Sequence, residues 1–377
     1  MGLGAENRLY SRARPRVGRT NRDRRGGAVA IEKPGAHSRL SEDDDWRRGE
    51  LTTAKVLRLL GSGATGSILM ALGDGPLRTK ELTERVPGYA PRTIYRYAGK
   101  LAQLGVVQRH EEPGVPSKVV HNLTEPAGRE LHDLVDTYAN ASLGRLPNGE
   151  IGSHEWGSLA LLADLWETGM IDELNREPRT ATELARGGHG LSFHQVSRRA
   201  DLFAIGGFIR EITDTPRRRR YALTDKSRRS MALVAGIGRW RRRHVVPKGM
   251  TGLTVSEVAG VMRTVLPLVV LPNQAAKSFE IEVLPIRGDQ SERALVGGEV
   301  GEDGAVTTSP TPLADVDCSV SGNVSAWVDS VIDGPGKGFS ARGDARLLDE
   351  CLRQLHATLW EHPEERTADS TSAASVR

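Results

Sequence analysis

The sequence predicts a multidomain protein of the α+β class. Three observations predict it: an internal repeat, the order of helical and β-rich segments within that repeat, and an acidic C-terminal part of different pattern. A chain of 377 residues is long enough for two or three domains that each bury a core. We expect a disordered Arg-rich arm at 1–45, two copies of one domain at 46–145 and 150–245, a third domain at 250–362, and a disordered tail at 363–377.

The internal repeat relates the two copies at an offset of 102 residues. The stretch LRLLGSGATGSILMAL (57–72) aligns with LALLADLWETGMIDEL (159–174), so that four leucines of one stretch coincide with four of the other. The offset drops to 100 where NLT (122–124) meets ALT (222–224). The second copy is therefore predicted to have lost two residues just before this point, and otherwise to fold like the first.

Each copy has the same predicted order of elements. In the first copy, hydrophobic patterning predicts helices at 51–60, 64–73, 78–85, 91–104 and 125–140 and strands at 106–112 and 117–123. The strands flank EEPGVPS, whose proline and glycine residues suit a hairpin tip. This order is typical of a winged helix-turn-helix, so the fold class is two tandem winged helix-turn-helix domains followed by a mixed α+β domain.

The helix that begins at Pro91 has a polar face without any acid. Ile94, Ala98 and Leu101 lie at i, i+4 and i+7 and are predicted to be buried. A helix of this kind fits the major groove of DNA, where Arg can read guanine, Thr can meet a thymine methyl, and flanking cations hold phosphates. The predicted DNA contacts of the first copy are Arg92, Thr93, Tyr95, Arg96 and Lys100 from this helix and Lys118 from the wing.

The corresponding helix of the second copy begins after Ser192, which is a favourable N-cap residue. Its predicted buried residues are Val196, Ala200 and Phe203. The predicted DNA contacts are His194, Gln195, Ser197, Arg198 and Arg199 from the helix and Arg217, Arg218, Arg219 and Arg220 from the wing tip DTPRRRRY. From Arg210 to His244, which includes RWRRRH (239–244), 12 basic residues stand against 3 acidic ones, a density that favours phosphate or minor-groove contact.

Charge is distributed unevenly along the chain. From Glu280 to the C-terminus, 8 Lys and Arg stand against 18 Asp and Glu, a net charge of −10. Because the whole chain carries +4, residues 1–279 carry +14. A basic front half indicates a polyanionic partner, and double-stranded DNA is the partner that we expect, with a merely solvated surface as the alternative.

The composition disfavours a membrane protein and an exported one. The longest apolar run, VLPLVVLP (265–272), is too short to span a bilayer. Arg24 and Arg25 are not followed by the apolar stretch that a twin-arginine export signal requires. We therefore expect a cytoplasmic protein without membrane contact.

The sequence also disfavours metal, cofactor and enzyme chemistry. Cys318 and Cys351 lack metal-ligand or disulfide spacing, so we expect two buried thiols. Gly61, Gly63 and Gly66 form the dinucleotide pattern G-x-G-x-x-G, but a predicted helix rather than a strand precedes them, and the second copy lacks them. We predict no cofactor and no metal, and we find no nucleophile with a base and no spaced pair of carboxylates.

The first copy resembles the HxlR type of bacterial winged-helix regulators. The resemblance lies in LRLLG (57–61), GPLRTKEL (75–82), VPGYAPRTIYR (86–96), KLAQLGVVQR (100–109) and VVHNLTEPAGREL (119–131). The second copy is similar but more divergent. The resemblance implies transcriptional regulation, generally by homodimers on inverted repeats, and leaves open whether this chain forms a homodimer or pairs its own two copies. Many relatives sense oxidants through a cysteine before the first helix; no cysteine precedes Cys318 here, so thiol sensing is not implied.

The C-terminal part resembles a different family. SVSGNVSAWVDSVIDG (319–334) and FSARGDARLLDECLRQLHATLW (339–360) resemble the closing part of sterol carrier protein type-2-like domains. That resemblance implies a mixed α+β fold with a tunnel for a small apolar ligand. A helical stripe is formed by Leu347, Leu348, Cys351, Leu352, Leu355 and Leu359, and it fits either core packing or a ligand tunnel.

The predicted function is sequence-specific, DNA-binding transcriptional regulation, with a C-terminal domain that senses a ligand or forms oligomers. One alternative is a chromatin-type or RNA-binding protein without sequence specificity, which would use the Arg-rich arm and wing. The other is a methyltransferase-like enzyme that uses a winged helix for dimerisation. Its catalytic domain needs a glycine-rich loop that leads into a helix, and LVGGEVGEDG (295–304) lacks that helix.

Overall fold

The computed structural model describes residues 51–113, 118–143, 151–187, 190–215, 218–247, 250–286, 292–309 and 311–360. The predicted disordered segments at 1–45 and 363–377 and both predicted wing tips lie wholly or partly outside these residues.

The first set of elements is a winged helix-turn-helix. Its elements are α1 (Thr53–Leu60), α2 (Ala64–Gly73), β1 (Leu77–Arg78), α3 (Thr79–Arg85), α4 (Pro91–Gln103), β2 (Val107–Glu112), β3 (Lys118–Leu123) and α5 (Ala127–Ser142). The three strands form an antiparallel sheet in the order β1, β3, β2. Predicted and observed boundaries agree within two residues, but the two-residue strand β1 was not predicted.

The next elements follow in the same order. They are α6 (Ser153–Glu167), α7 (Met170–Arg176), α8 (Ala181–Arg186), α9 (Phe193–Ile205), β4 (Ile209–Thr215), β5 (Arg218–Leu223) and α10 (Asp225–His244). Helix α9 begins and ends 102 residues after α4, which is the offset of the sequence repeat. A shift of pairing register between Thr213 and Thr215 marks the tip of the second hairpin, where the sequence is shorter by two residues.

The strand register is also repeated. In the first hairpin, Val107 of β2 pairs with Leu123 of β3. In the second hairpin, Ile209 of β4 pairs with Leu223 of β5 at the equivalent positions of the repeat. The hydroxyl of Thr124 donates to the carbonyl of Gly105 at 2.6 Å, and the hydroxyl of Thr224 donates to the carbonyl of Gly207 at the same distance. In the first set, Leu77 of β1 pairs with His121 of β3. An isolated β-bridge between Arg179 and Tyr221 lies at the equivalent position of the second set.

Helices α1 and α2 pack closely against α6, and the glycines of the G-x-G-x-x-G pattern permit this approach. A Cβ atom on Gly61 would lie 2.6 Å from the backbone nitrogen of Ala160, and one on Gly66 would lie 2.5 Å from Cε3 of Trp156. Gly63 adopts a positive φ of 74° at the start of α2. The glycines therefore serve helix packing and a turn between two helices, and a helix rather than a strand precedes them.

We expect Gly66→Ala to destabilise the protein by about 1 to 3 kcal/mol, because the added methyl group would overlap the ring of Trp156. Trp156 is only 1% exposed and cannot move without displacing the core. Urea unfolding measures the change. The matched control is Gly99→Ala in α4, where a Cβ atom meets nothing within 4 Å; it should stabilise the helix by roughly 0.5 to 1 kcal/mol. Equal effects of the two substitutions would contradict this packing.

Helix α5 packs against α10 and forms a second contact between the two sets of elements. Leu134 of α5 lies against Gly236 of α10, where a Cβ atom would be 2.3 Å from the leucine Cδ1. The buried hydroxyls of Tyr138 and Ser230 lie 2.8 Å apart, and burial raises the pKa of Tyr138 to about 12. The two sets therefore share one apolar core, which α10 crosses with most of its length buried.

The C-terminal part is a mixed α+β domain, as predicted. Its elements are α11 (Val255–Val265), two 3₁₀ turns (Leu266–Leu268 and Pro272–Gln274), β6 (Ser278–Leu284), β7 (Ala294–Val300), β8 (Val306–Ser309), β9 (Cys318–Asn323), α12 (Val324–Asp333), β10 (Phe339–Gly343) and α13 (Ala345–Trp360). The five-stranded sheet has the order β10, β9, β6, β7, β8, with β6 parallel to β9 and the other pairs antiparallel. The glycine-rich stretch at 295–304 belongs to the β7–β8 hairpin and leads into a strand rather than a helix.

The apolar stripe of α13 lies in the core of this domain. All six of its residues are buried, from Leu347 to Leu359. Cys318 and Cys351 are free and buried, as the sequence predicted, and burial raises the pKa of Cys351 to about 12. Core packing therefore accounts for the stripe.

Among the described residues, no single helix has the length and apolar character needed to cross a membrane. The pair α1 and α2, bent by 82°, satisfies those criteria only when its two helices are taken together. Its apolar side chains are largely buried in the fold.

Candidate nucleic-acid interface

Helix α4 presents a cationic face to the surface. It begins at Pro91 after an extended Ala90, and Ile94, Ala98 and Leu101 are buried as predicted. Arg92, Tyr95 and Arg96 are exposed, whereas Thr93 and Lys100 are half-buried and thus less exposed than the helical periodicity predicted. The helix contains no acidic residue, so its outer face combines cations with an aromatic hydroxyl.

Tyr97 organises the cations of α4 and was not among the residues predicted from sequence. The guanidinium carbon of Arg96 lies 5.0 Å from the centroid of its ring, and the ammonium nitrogen of Lys100 lies 5.4 Å from it. Contacts of this kind restrain long side chains without neutralising their charge. The sequence signal that could have identified Tyr97 is the alternation of aromatic and basic residues in YRYAGK (95–100).

The wing of the first set is the hairpin of β2 and β3, which follows α4 directly in the sequence. Lys118 is exposed at the start of β3, and Arg109 and His110 are exposed on β2. Glu112 pairs with Arg78 at 3.2 Å, which joins the wing to the start of α3. Residues 114–117 at the tip lie outside the described residues.

His121 is buried at the centre of the wing sheet. Its side chain is 6% exposed, and its Nε2 atom lies 3.3 Å from the hydroxyl of Thr79. Burial lowers the pKa of His121 below 6.5, and the nearby charges of Arg109 and His110 lower it further. The folded protein therefore holds this imidazole in its neutral form at pH 7.

We expect the stability of the wing to fall on acidification. Because the pKa of His121 is lower in the folded chain, the unfolded chain binds the proton first; the stabilisation is complete above pH 6.5 and is lost as the pH falls below that value. Urea unfolding at several pH values between 7.5 and 5 should show a shallower loss of unfolding free energy for His121→Asn than for wild type. Identical slopes for the two proteins would contradict the assignment.

Helix α9 buries the three residues predicted for it, but its polar face differs from the prediction. His194 and Arg198 are exposed, and Ser197 is half-buried. The amide oxygen of Gln195 accepts hydrogen bonds from the backbone and hydroxyl groups of Ser192 at 2.8 and 3.0 Å, so it caps the helix. Arg199 was expected to face outward; instead its Nε atom is buried and lies 3.9 Å from a carboxylate oxygen of Asp164 on α6.

The arginines of the second wing have different environments. Arg219 is exposed and its Nε lies 3.4 Å from Glu211 on the opposite strand. Arg220 is half-buried. Arg217 and the side chain of Arg218 lie outside the described residues.

The prediction that RWRRRH (239–244) contacts phosphates is wrong for most of this run. Arg239 and Arg242 pair with Asp333 at 2.5 Å and Asp329 at 3.2 Å, both on α12 of the acidic C-terminal domain. Arg241 donates to the hydroxyl of Thr53 and to the carbonyl of Gly252. Arg243 and His244 both contact Glu130 of α5. Most of α10 is packed inside the protein. Its cations therefore contact the neighbouring helices α1, α5 and α12.

Comparison with known proteins identifies the protein family to which the first set of elements, α1 to α5, belongs. Residues 59–143 match the HxlR-like helix-turn-helix family. An HTH-type transcriptional regulator of Methanothermobacter thermautotrophicus is 30% identical to this chain over 131 residues, which are 94% of that protein and 34% of this chain. The chain belongs to the HxlR-like helix-turn-helix family. The predicted resemblance of the first copy is thereby confirmed.

Two further proteins are similar to part of this chain. The HTH-type transcriptional regulator YodB of Bacillus subtilis is 39% identical over 67 residues, which are 18% of this chain and 60% of YodB, so the match spans less than two thirds of that regulator. The crystal structure of diamide-treated YodB is 34% identical and covers 22% of this chain and 79% of its own, with a TM-score of 0.20. The transcriptional regulator ytfH of Salmonella typhimurium is 32% identical and covers 22% and 75%, with a TM-score of 0.22. YodB and the Methanothermobacter protein both carry the description of an HTH-type transcriptional regulator.

Proposed function

We propose that this protein is a sequence-specific DNA-binding transcriptional regulator. The observation that carries the proposal is the acid-free outer face of α4, at the recognition-helix position of an HxlR-like domain. Arg92 and Arg96 are four residues apart on that face, so both can reach the same major groove. Tyr95 is 50% exposed, which places a large aromatic side chain beside them.

The second part of the proposal is that residues 150–245 form another winged helix-turn-helix. Its support is the repeated order of elements, the repeated register of the hairpin and the bridge between Arg179 and Tyr221. Helix α9 is then the second recognition helix, with His194, Ser197 and Arg198 toward the bases and Arg217 to Arg220 on phosphates. Gln195 and Arg199 are engaged at the helix start and with Asp164, so we assign them secondary roles.

The two copies are proposed to act as an intramolecular pair. HxlR-type regulators are often dimers, and here the contacts of α1 with α6 and of α5 with α10 join two similar units within one chain. Because Arg96 and Arg198 occupy equivalent positions while their neighbours differ, one chain would read two related but unequal half-sites.

The C-terminal domain is proposed to be the sensing or oligomerising part of the regulator. Its mixed sheet and the helices α12 and α13 are consistent with the resemblance to sterol carrier protein type-2-like domains. Its packing against α10, through Asp329 and Asp333, would let a change in this domain reach the second winged helix. A cytoplasmic location follows from the proposed function.

Selection from a random-sequence duplex library with the full-length protein tests this function. We expect one enriched sequence family, bound roughly 10³-fold or more tightly than a scrambled duplex at physiological salt. Binding without enrichment, and with equal affinity for scrambled DNA, would contradict sequence-specific regulation and favour a chromatin-type protein.

A further inference from the structure

Helix α4 carries a glycine, Gly99, on its exposed face. Glycine is the least favourable residue in a helix interior after proline, because it loses the most backbone freedom when the helix forms. A glycine at such a position calls for an explanation. Three explanations are common: a left-handed backbone, a close contact within the chain, and a close contact with another molecule.

The first two explanations do not apply to Gly99. It continues the helix and does not have a positive φ. Apart from its chain neighbours and the helix backbone, a Cβ atom on Gly99 would meet nothing within 4 Å in the described part of the chain. By contrast, a Cβ atom on Gly66 would lie 2.5 Å from Trp156, and one on Gly236 would lie 2.3 Å from Leu134. The space that the missing side chain leaves at Gly99 is therefore open to another molecule.

Gly99 lies on the line of residues that faces directly away from the buried stripe of α4. The exposed residues of this line are Arg92, Arg96, Gly99 and Gln103, at positions i, i+4, i+7 and i+11. From Arg92 to Gln103 the helix rises by roughly 16 Å, which corresponds to about five base pairs of DNA. A helix that lies close along a groove over this length contacts more base pairs than one that enters with its first turn only.

Cations flank the bare backbone at Gly99. Arg96 and Lys100 both contact the ring of Tyr97, at 5.0 and 5.4 Å from its centroid. These contacts hold the two long side chains toward the Tyr97 side of the helix without neutralising their charge. Because α4 contains no acidic residue, the surface around Gly99 is complementary in charge to a polyanion that approaches closely.

We propose that Gly99 is the point of closest contact between α4 and DNA. The missing side chain lets the helix backbone lie against the base edges of the major groove, where Arg92 and Gln103 reach bases on either side of Gly99. This inference rests on the proposed DNA-binding function and adds two residues to its site. In α9 the equivalent residue is Asp201, whose exposed carboxylate is repelled by phosphates, so the close approach belongs to α4 alone.

Gly99→Ala and Gly99→Lys test the proposal in the full-length protein, with the selected operator and a scrambled duplex as ligands. Both substitutions should raise the urea midpoint of unfolding, because alanine and lysine favour a helix more than glycine does. Gly99→Ala should nevertheless bind the operator about tenfold more weakly, and Gly99→Lys should lose at least as much.

The lysine variant gives the sharper result. If position 99 only lay near phosphates, an added cation would strengthen binding. If DNA occupies the space at Gly99, the lysine stem weakens operator binding in spite of its charge. Unchanged or tighter operator binding by either variant would overturn the inference, and so would a lowered urea midpoint for Gly99→Ala.

The matched control is Gly157→Ala in α6. Gly157 is also a helical glycine at which a Cβ atom meets nothing within 4 Å, but it lies on neither α4 nor α9. Gly157→Ala should raise the urea midpoint in the same way and leave operator affinity unchanged. An equal loss of operator affinity in this control would show that a stiffer helix, rather than contact at Gly99, weakens binding, and would overturn the inference.

Footprinting locates the contact on the operator. Gly99→Ala should weaken protection of the half-site that Arg198→Ala leaves protected, and loss at the other half-site would overturn the assignment to α4. If the wild-type protein selects no operator, the proposed function fails and this inference falls with it. If the wild-type protein selects an operator and Gly99→Ala binds it as tightly, this inference fails alone.

Discussion

Replacing Arg96 with alanine should lower the affinity for a selected operator by about 1 to 3 kcal/mol, which is roughly 5- to 150-fold. Arg96 is exposed on the acid-free face of α4, and its guanidinium is restrained by the ring of Tyr97. A base-reading arginine contributes to affinity only on the matching base pair, so affinity for random DNA should change much less. Fluorescence anisotropy with the selected and scrambled duplexes measures both affinities.

The control for this experiment is Arg353→Ala, which removes the same charge from an exposed position on α13. It should leave the ratio of specific to random affinity unchanged. An equal loss on both duplexes for Arg96→Ala would show that Arg96 holds phosphate rather than a base. That result would remove the base-reading role from α4.

The second large effect concerns the contact between the two copies. Trp156→Ala should lower the free energy of unfolding by roughly 3 to 5 kcal/mol, because Trp156 is 1% exposed and its indole fills the space beside Gly66. Urea unfolding of the full chain measures this value. Tyr95→Ala, which truncates an aromatic residue that is 50% exposed, should cost far less and serves as the control. Similar losses in both variants would contradict the packing of α2 against α6.

Helices α4 and α9 could be predicted well from sequence because the local signals agreed there. Pro91 and Ser192 mark helix starts, and the buried stripes of α4 and α9 have the helical period. Strand β1 could not be predicted, since two residues carry no periodicity and only pairing with β3 defines them.

The roles of individual cations were harder to predict. In RWRRRH the local density of charge resembles a phosphate-binding segment, but Asp329 is separated from Arg242 by 87 residues and pairs with it only in the folded chain. Arg199 is likewise drawn to Asp164 by the packing of α9 near α6. Sequence patterns report which residues can bind anions, whereas long-range packing decides which of them face solvent.

For the G-x-G-x-x-G pattern, too, the sequence predicted one property and the long-range packing determined another. The preceding helix was enough to argue against nucleotide binding by Gly61, Gly63 and Gly66. What the glycines do instead depends on Ala160 and Trp156, which lie about 90 to 100 residues later and approach them only when α6 docks.

The central claim is that one chain carries two recognition helices that read two half-sites. Native mass spectrometry of the full-length protein on its selected operator tests it most directly, combined with footprinting of wild type and Arg198→Ala. We predict one chain per duplex, two protected half-sites with centres about 10 bp apart or a multiple of that spacing, and loss of protection at one half-site in the variant. Two chains per duplex, with protection unaffected by Arg198→Ala, would contradict it.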